Sequence, residues 1–257
     1  MKITVLVENA SACGLPAEHG LSLFVETERT RFQCDLGQTD LLARNAETLG
    51  IDLDTADFAV LSHGHYDHGG GMKAFFSLND HAPVYVSRYA FGPHYNRSGR
   101  YIGLDPDLER SDRLIRVGDG MPIRPGLTLT NAPGAPGVVP VSPCGLKRLD
   151  GGVMRDEDFR HEQYLLAEEG GRRILFSGCS HRGILNILHW FRPDVLIGGF
   201  HLMDHPADRE LTDIAKQLDA YPTVYYTCHC TGLAQYAHMK PIVRNLHSIS
   251  TGDSLLL

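Results

Sequence analysis

Apolar and polar positions along the chain alternate between two periods. Residues 2–7, 21–26 and 31–34 read as strands, the last two joined by a polar turn at 27–30. Apolar residues at helical spacing over 39–49, with Gly50 at the position that follows a helix, predict a first helix. Phe58-Ala59-Val60-Leu61 is a short apolar run ending at Ser62, a buried strand; a Gly run at 69–71 opens a helix near 72–78, and 83–87 is a further strand. Residues 88–116 are rich in Arg, Tyr, Gly and His, lack a clear period, and read as an inserted loop or lid. Residues 117–160 are rich in Pro and Gly, with strand signals at 127–130 and 138–141. Beyond them the pattern tightens. A hairpin is predicted at 163–168 and 172–177, then helix 182–191, strand 194–198, helix 207–219, strand 223–227, helix 231–239 and two short strands.

Strands thus cluster first and then alternate with helices, in two halves. That order suits an α/β (α+β) protein built as a four-layer αβ/βα sandwich. With no evident linker, the 257 residues read as a single domain, 1–257, carrying the inserted region at 88–116.

Composition adds little until charge and histidine are counted. The net charge is −7. A negative surface argues against non-specific binding of nucleic acid or of anionic membrane. No apolar run reaches membrane-spanning length, and residues 1–9 lack the long apolar stretch of a signal peptide. Six cysteines are too sparse for a disulfide scaffold. A cytoplasmic protein with reduced thiols is expected, acting on a small-molecule substrate; a homo-oligomer is compatible with the chain.

Histidine is the unusual component. There are 14, and three of them fall within the six residues His63-Gly64-His65-Tyr66-Asp67-His68, where composition predicts about a third of one. This segment directly follows a predicted strand, the place where α/β proteins build sites. Imidazole and carboxylate suit borderline divalent metals, zinc above all. Ligands at this spacing cannot all face one tetrahedral ion, so alternate residues are expected to serve two. Two more strand ends carry ligand types, at Gly178-Cys179-Ser180-His181 and at Cys228-His229-Cys230. His161 is a further candidate. Cys228 and Cys230 read as small packing residues, His181 as a helix N-terminal residue, His19, His201 and His205 as pocket lining. His81, His94, His189, His238 and His247 read as ordinary surface or core residues.

The box from His63 to His68, with Asp35-Leu36-Gly37 before it and Gly178-Cys179 after it, resembles the metallo-β-lactamase superfamily. Glu18-His19-Gly20-Leu21-Ser22, Ser177-Gly178-Cys179-Ser180-His181, Gly198-Gly199-Phe200-His201-Leu202 and Cys228-His229-Cys230-Thr231-Gly232 are similar to one branch of it. That branch is typified by 7,8-dihydropterin-6-methyl-4-(ribofuranosyl)aminobenzene-5′-phosphate synthase. The resemblance implies a metallo-β-lactamase-like sandwich with His63, His65 and His161 on a first metal and Asp67, His68 and His229 on a second. Cys179 stands where the superfamily usually has a bridging Asp. One or two zinc ions per chain are implied, with manganese or iron as alternatives.

The implied activity is hydrolysis by a metal-bound hydroxide, on a phosphorylated or ester- or lactone-like substrate. Asp67 would be both ligand and proton acceptor, and His201 or His19 would donate to a leaving group or grip a phosphate, His201 being the one placed in the catalytic set. Substrate contacts fall to His19, His181, Arg97 and Arg100. Carbon–carbon bond formation of the synthase type is the alternative, the aromatic and cationic residues at 88–101 suiting a flat heterocycle and a phosphate. A metal-stabilised binding module without catalysis is the third reading. A nuclease of the same superfamily is disfavoured by the net charge.

Overall fold

The structure is a computed structural model that describes residues 1–132, 134 and 136–257. Pro133 and Ala135, within the Pro/Gly-rich stretch, lie outside the described residues. The chain forms two compact units. The first comprises residues 1–118, 143–163 and 250–257, the second 119–142 and 164–249.

The first unit holds a seven-stranded mixed sheet. Its spatial order is Ser254–Leu256, Lys2–Val7, Ser22–Glu26, Arg31–Cys34, Phe58–Val60, Val84–Ser87 and Leu114–Val117. The early strands are antiparallel, and from Arg31–Cys34 onward the pairing is parallel. Parallel neighbours need crossovers, and the helices Leu41–Thr48 and Met72–Leu78 supply two of them. Their inward residues Leu41, Leu42, Ala46, Met72 and Phe75 pack with Leu6, Ala59, Leu61 and Val84 in one core.

The segment read as a lid is more structured than its period suggested. Leu114–Val117 is the outermost strand of this sheet, paired in parallel with Val84–Ser87. Upstream, His94–Tyr95 joins the hairpin Lys147–Asp150 and Val153–Asp156 in a small three-stranded sheet. That hairpin was not expected. Almost every side chain of its strands is exposed or half-exposed, so it carries no apolar alternation; an ion pair, Lys147 to Asp156 at 2.5 Å, links its strands.

The second unit also holds a seven-stranded sheet. Its order is Leu246–Ser248, Val224–Thr227, Val195–Gly198, Arg172–Gly178, Tyr164–Glu169, Leu127–Thr130 and Gly120–Arg124. The helices Ile184–Phe191, Arg209–Asp219 and Leu233–Met239 connect its parallel strands. Ile187, Leu188, Leu211, Leu218 and Met239 bury against Leu196 and Tyr225. Asp208 caps the second helix by accepting the N–H groups of Glu210 and Leu211.

The strand expected at 138–141 does not form. Val138 and Val141 are 51% and 40% exposed. The N–H groups of Val138 and Val139 donate to Asn186 Oδ1, and Asn186 Nδ2 donates to the Val139 carbonyl. One buried amide thus satisfies backbone groups that a neighbouring strand would otherwise take. Among the described residues, no helix is long and apolar enough to cross a membrane.

Candidate metal centre

In the first unit, strand Phe58–Val60 leads into a buried turn that a single carboxylate organises. Asp35 accepts the backbone N–H of Ser62 at 2.7 Å, the Ser62 hydroxyl at 2.8 Å and His68 Nδ1 at 2.7 Å. It occupies the left-handed region at φ +56°, an uncommon conformation for a residue with a side chain. With its hydrogen committed to Asp35, the Ser62 hydroxyl accepts from His63 Nδ1 at 2.9 Å. His63 and His68 therefore carry their ring protons on Nδ1 and a lone pair on Nε2, the form in which a histidine ligates metal.

The turn is wound tightly around these side chains. Tyr66–Gly69 is a single helical turn that the sequence pattern did not reveal. A Cβ at Gly64 would collide with the carbonyl of Ala90, and one at Gly70 with the carbonyl of Gln38. Only glycine permits those approaches. The backbone carbonyls of Asp67 and His68 accept from Leu21 and Leu36.

Asp67 is buried, with Oδ2 3.3 Å from Nε2 of the exposed His19 and 3.8 Å from His68 Nε2. One potential ligand atom from each of His63, Asp67 and His68 lies within 4.8 Å of the others. His65, His94 and His161 form a second such group, all three buried. The His94 and His161 rings are 4.0 Å apart. Burial first, and the neighbouring His94 and His65, push the His161 pKa well below its usual value and hold the ring neutral.

His94 is the functional candidate that sequence reasoning missed. It lies in an aperiodic stretch, and no local spacing ties it to the box. The signal is its distant partner Glu157, whose carboxylate holds His94 Nδ1 at 2.7 Å.

Arg97 and Arg100, expected to meet substrate, are both exposed. Arg97 Nε donates to the Cys144 carbonyl at 2.9 Å, and Arg100 donates to the Tyr66 hydroxyl at 3.2 Å while lying over that ring.

In the second unit, Cys179 follows strand Arg172–Gly178, and His229 and Cys230 lie in a short 3₁₀ turn just after strand Val224–Thr227. Ser180, His201 and His229 sit at φ +59°, +53° and +50°. Such strain concentrates where a fold aims side chains at a site. The His181 and His201 rings pack at 4.2 Å. Cys230, expected only to pack, takes a larger part. Gly199 leaves room for its sulfur, which accepts the backbone N–H of His201 at 3.3 Å. Burial pushes this thiol up, but hydrogen bonds with Cys179 and His201 and the neighbouring His229 outweigh burial and hold it well below its usual pKa.

The donors fit a divalent metal. The first unit offers buried imidazoles whose ligating nitrogens are set by carboxylate or hydroxyl partners, beside a buried carboxylate. Nitrogen and oxygen donors of this kind suit zinc, manganese or iron.

The chain is similar to known proteins over most of its length. It is 29% identical to an uncharacterized protein of Methanocaldococcus jannaschii, over 90% of both chains. It is 26% identical to the 7,8-dihydropterin-6-methyl-4-(β-D-ribofuranosyl)-aminobenzene-5′-phosphate synthase of the same organism, over 98% of this chain and 95% of that one. The crystal structure of Tm1679, described as a metal-dependent hydrolase of the β-lactamase superfamily, superposes with a TM-score of 0.82 at 28% identity, covering 100% of this chain and 99% of that one. The model of the metallo-β-lactamase superfamily matches residues 22–154, slightly more than half of the chain and including the whole histidine box. By that match, and by a mixed α/β fold shared along its full length with a member of known structure, the chain belongs to the metallo-β-lactamase superfamily.

Proposed function

We propose that the protein is a metal-dependent hydrolase of small phosphorylated or ester- or lactone-like substrates. The observation that carries this reading is the buried group of His63, Asp67 and His68, whose imidazoles are oriented by Ser62 and Asp35. A divalent ion held there acts as a Lewis acid and lowers the pKa of water toward neutrality.

The chain's own residues do the rest. Asp35 fixes the tautomer and angle of His68 and anchors the loop that carries His63. Asp67 has two tasks, ligation and acceptance of the proton released when water attacks. His19 Nε2, 3.3 Å from Asp67, is placed to pass that proton outward. Cys179 and His229 complete the ligand set by the family resemblance, and one or two zinc ions per chain are the proposed complement. His201 is proposed to protonate the leaving group, with His181 packed against its ring.

The printed name of the 26% identical relative favours a second reading, carbon–carbon bond formation between a pterin and a ribosyl-arylamine phosphate. Arg97 and Arg100 are then proposed to meet the phosphate.

Plasma mass spectrometry of the purified protein, with metals counted per chain, tests the metal, and a phosphoester and lactone screen of wild type against Asp67→Ala tests the chemistry. Bound zinc with turnover that Asp67→Ala lowers by roughly 100-fold or more is the expected result. An Asp67→Ala protein with full turnover and its metal still bound would overturn the mechanism.

A further inference from the structure

Two buried imidazoles stand beside His65, and their hydrogen bonds give them opposite protonation. His161 Nδ1 accepts the backbone N–H of Gly64 at 2.9 Å. A neutral imidazole carries one proton, so that of His161 lies on Nε2. A nitrogen that bears a proton has no lone pair for a cation. The nearest carboxylate oxygen to it, Glu157 Oε1, is 3.7 Å away, beyond hydrogen-bond distance.

His94 is the reverse case. Its Nδ1 lies 2.7 Å from Glu157 Oε2, and a carboxylate only accepts, so Nδ1 carries a proton, and the neutral form of the ring has its lone pair on Nε2. That Nε2 is buried and makes no hydrogen bond; His161 Nε2 is likewise buried without a hydrogen bond, so it is the Nδ1 partners, a carboxylate for His94 and a backbone N–H for His161, that tell the two rings apart. Glu157 is itself fixed, its other oxygen accepting the N–H groups of Asp158 and Phe159 at 3.1 Å each. The small sheet delivers both residues. His94 pairs with Arg148 across the strands, and the Glu157 backbone donates to Leu146 just before that hairpin. A carboxylate behind a histidine, with the far nitrogen bare, is the arrangement that ligating histidines adopt in metal sites.

We infer that His94, oriented by Glu157, is the metal-ligating imidazole beside His65, and that His161 is a hydrogen-bonding residue that braces the Gly64 backbone without ligating. This assignment rests on the metal dependence proposed above and departs from the ligand set that the family resemblance implies. It also gives the 88–116 segment a role, as the carrier of a ligand.

The test compares wild type with His94→Ala, Glu157→Gln and His161→Gln, each as the full chain with its fold checked by circular dichroism. Zinc per chain is counted after dialysis against a competing chelator, and cobalt(II) replaces zinc so that its visible absorption reports the ligand set. His94→Ala is expected to weaken one ion by roughly 100-fold or more and to change the cobalt spectrum, and Glu157→Gln by roughly 10- to 100-fold. His161→Gln should keep both the affinity and the spectrum. Loss of metal in His161→Gln with retention in His94→Ala, or retention in both, overturns the assignment alone. A wild type that binds no metal overturns the metal-dependent reading and this assignment with it. A measurement without substitutions guards against variants that fail to fold. Imidazole nitrogen chemical shifts of the metal-free wild type should report Nδ1–H for His94 and Nε2–H for His161; the opposite pattern sinks the assignment.

Discussion

The first unit contains two carboxylate–imidazole pairs with the same geometry and different origins. Asp35 holds His68 Nδ1 at 2.7 Å across 33 residues of sequence, and Glu157 holds His94 Nδ1 at the same distance across 63. Both carboxylates also take two further hydrogen bonds, from Ser62 in one case and from Asp158 and Phe159 in the other. His68 belongs to a dense local box after a buried strand. His94 sits on a two-residue strand in an aperiodic stretch. Equal chemistry can thus rest on a compact motif or on a pairing that only the folded hairpin creates, and only the former leaves a mark on the sequence.

The largest expected effect concerns the box itself. Asp67→Ala should lower turnover by roughly 10²- to 10⁴-fold, the range for losing a positioned proton acceptor, measured by steady-state kinetics on whichever substrate the screen identifies. The two pairs can next be compared as buried networks. Asp35→Ala strands the Ser62 N–H and hydroxyl and the His68 Nδ1–H, and should cost roughly 3 kcal/mol in urea denaturation of the metal-free protein. Glu157→Ala strands the half-buried Asp158 N–H among its three, so water recovers part of the loss and roughly 2 kcal/mol is expected. Equal costs would mean that the hairpin-borne pair is as enclosed as the motif-borne one.

Gly64→Ala probes the backbone that His161 braces. Its Cβ would meet the Ala90 carbonyl, and the strain should cost about 1–3 kcal/mol by the same measurement. The smallest effect is a pH dependence. His161 is kept neutral in the fold, chiefly by burial, whereas in the unfolded chain it titrates near 6.5. Above that pH neither state is protonated there. As pH falls below it, the unfolded chain takes a proton that the native state refuses, and stability declines by at most about 1.4 kcal/mol per pH unit. His161→Gln should flatten that part of the profile between pH 7.5 and 5.5; an unchanged slope would show that His161 is not the group responsible.

Legibility followed burial. The helix predicted at 72–78 forms at Met72–Leu78, because Met72 and Phe75 face one core. Strands 2–7 and 31–34 form where their apolar runs place them. Gly120–Arg124 and the Lys147–Asp156 hairpin were not legible, since exposed strands are held by backbone ladders and ion pairs that have no apolar period. The Val138–Val141 run misled for the converse reason, its apolar side chains being exposed and its backbone held by Asn186.

By itself the sequence determined the mixed α/β class, the strand endings that carry His63 to His68, Cys179 and His229, and the donor types of the first group, which suit a divalent metal. These depend on residue types and short spacings, which the chain fixes before it folds. Tertiary structure decided which lone pairs are presented. Whether the bare Nε2 of His94 or of His161 carries a lone pair depends on Glu157 and on the Gly64 N–H, and only the folded chain brings those groups to the rings. An imidazole has two nitrogens and one proton, so its role is set by the neighbour that claims the proton, and no spacing rule encodes a neighbour 63 residues away.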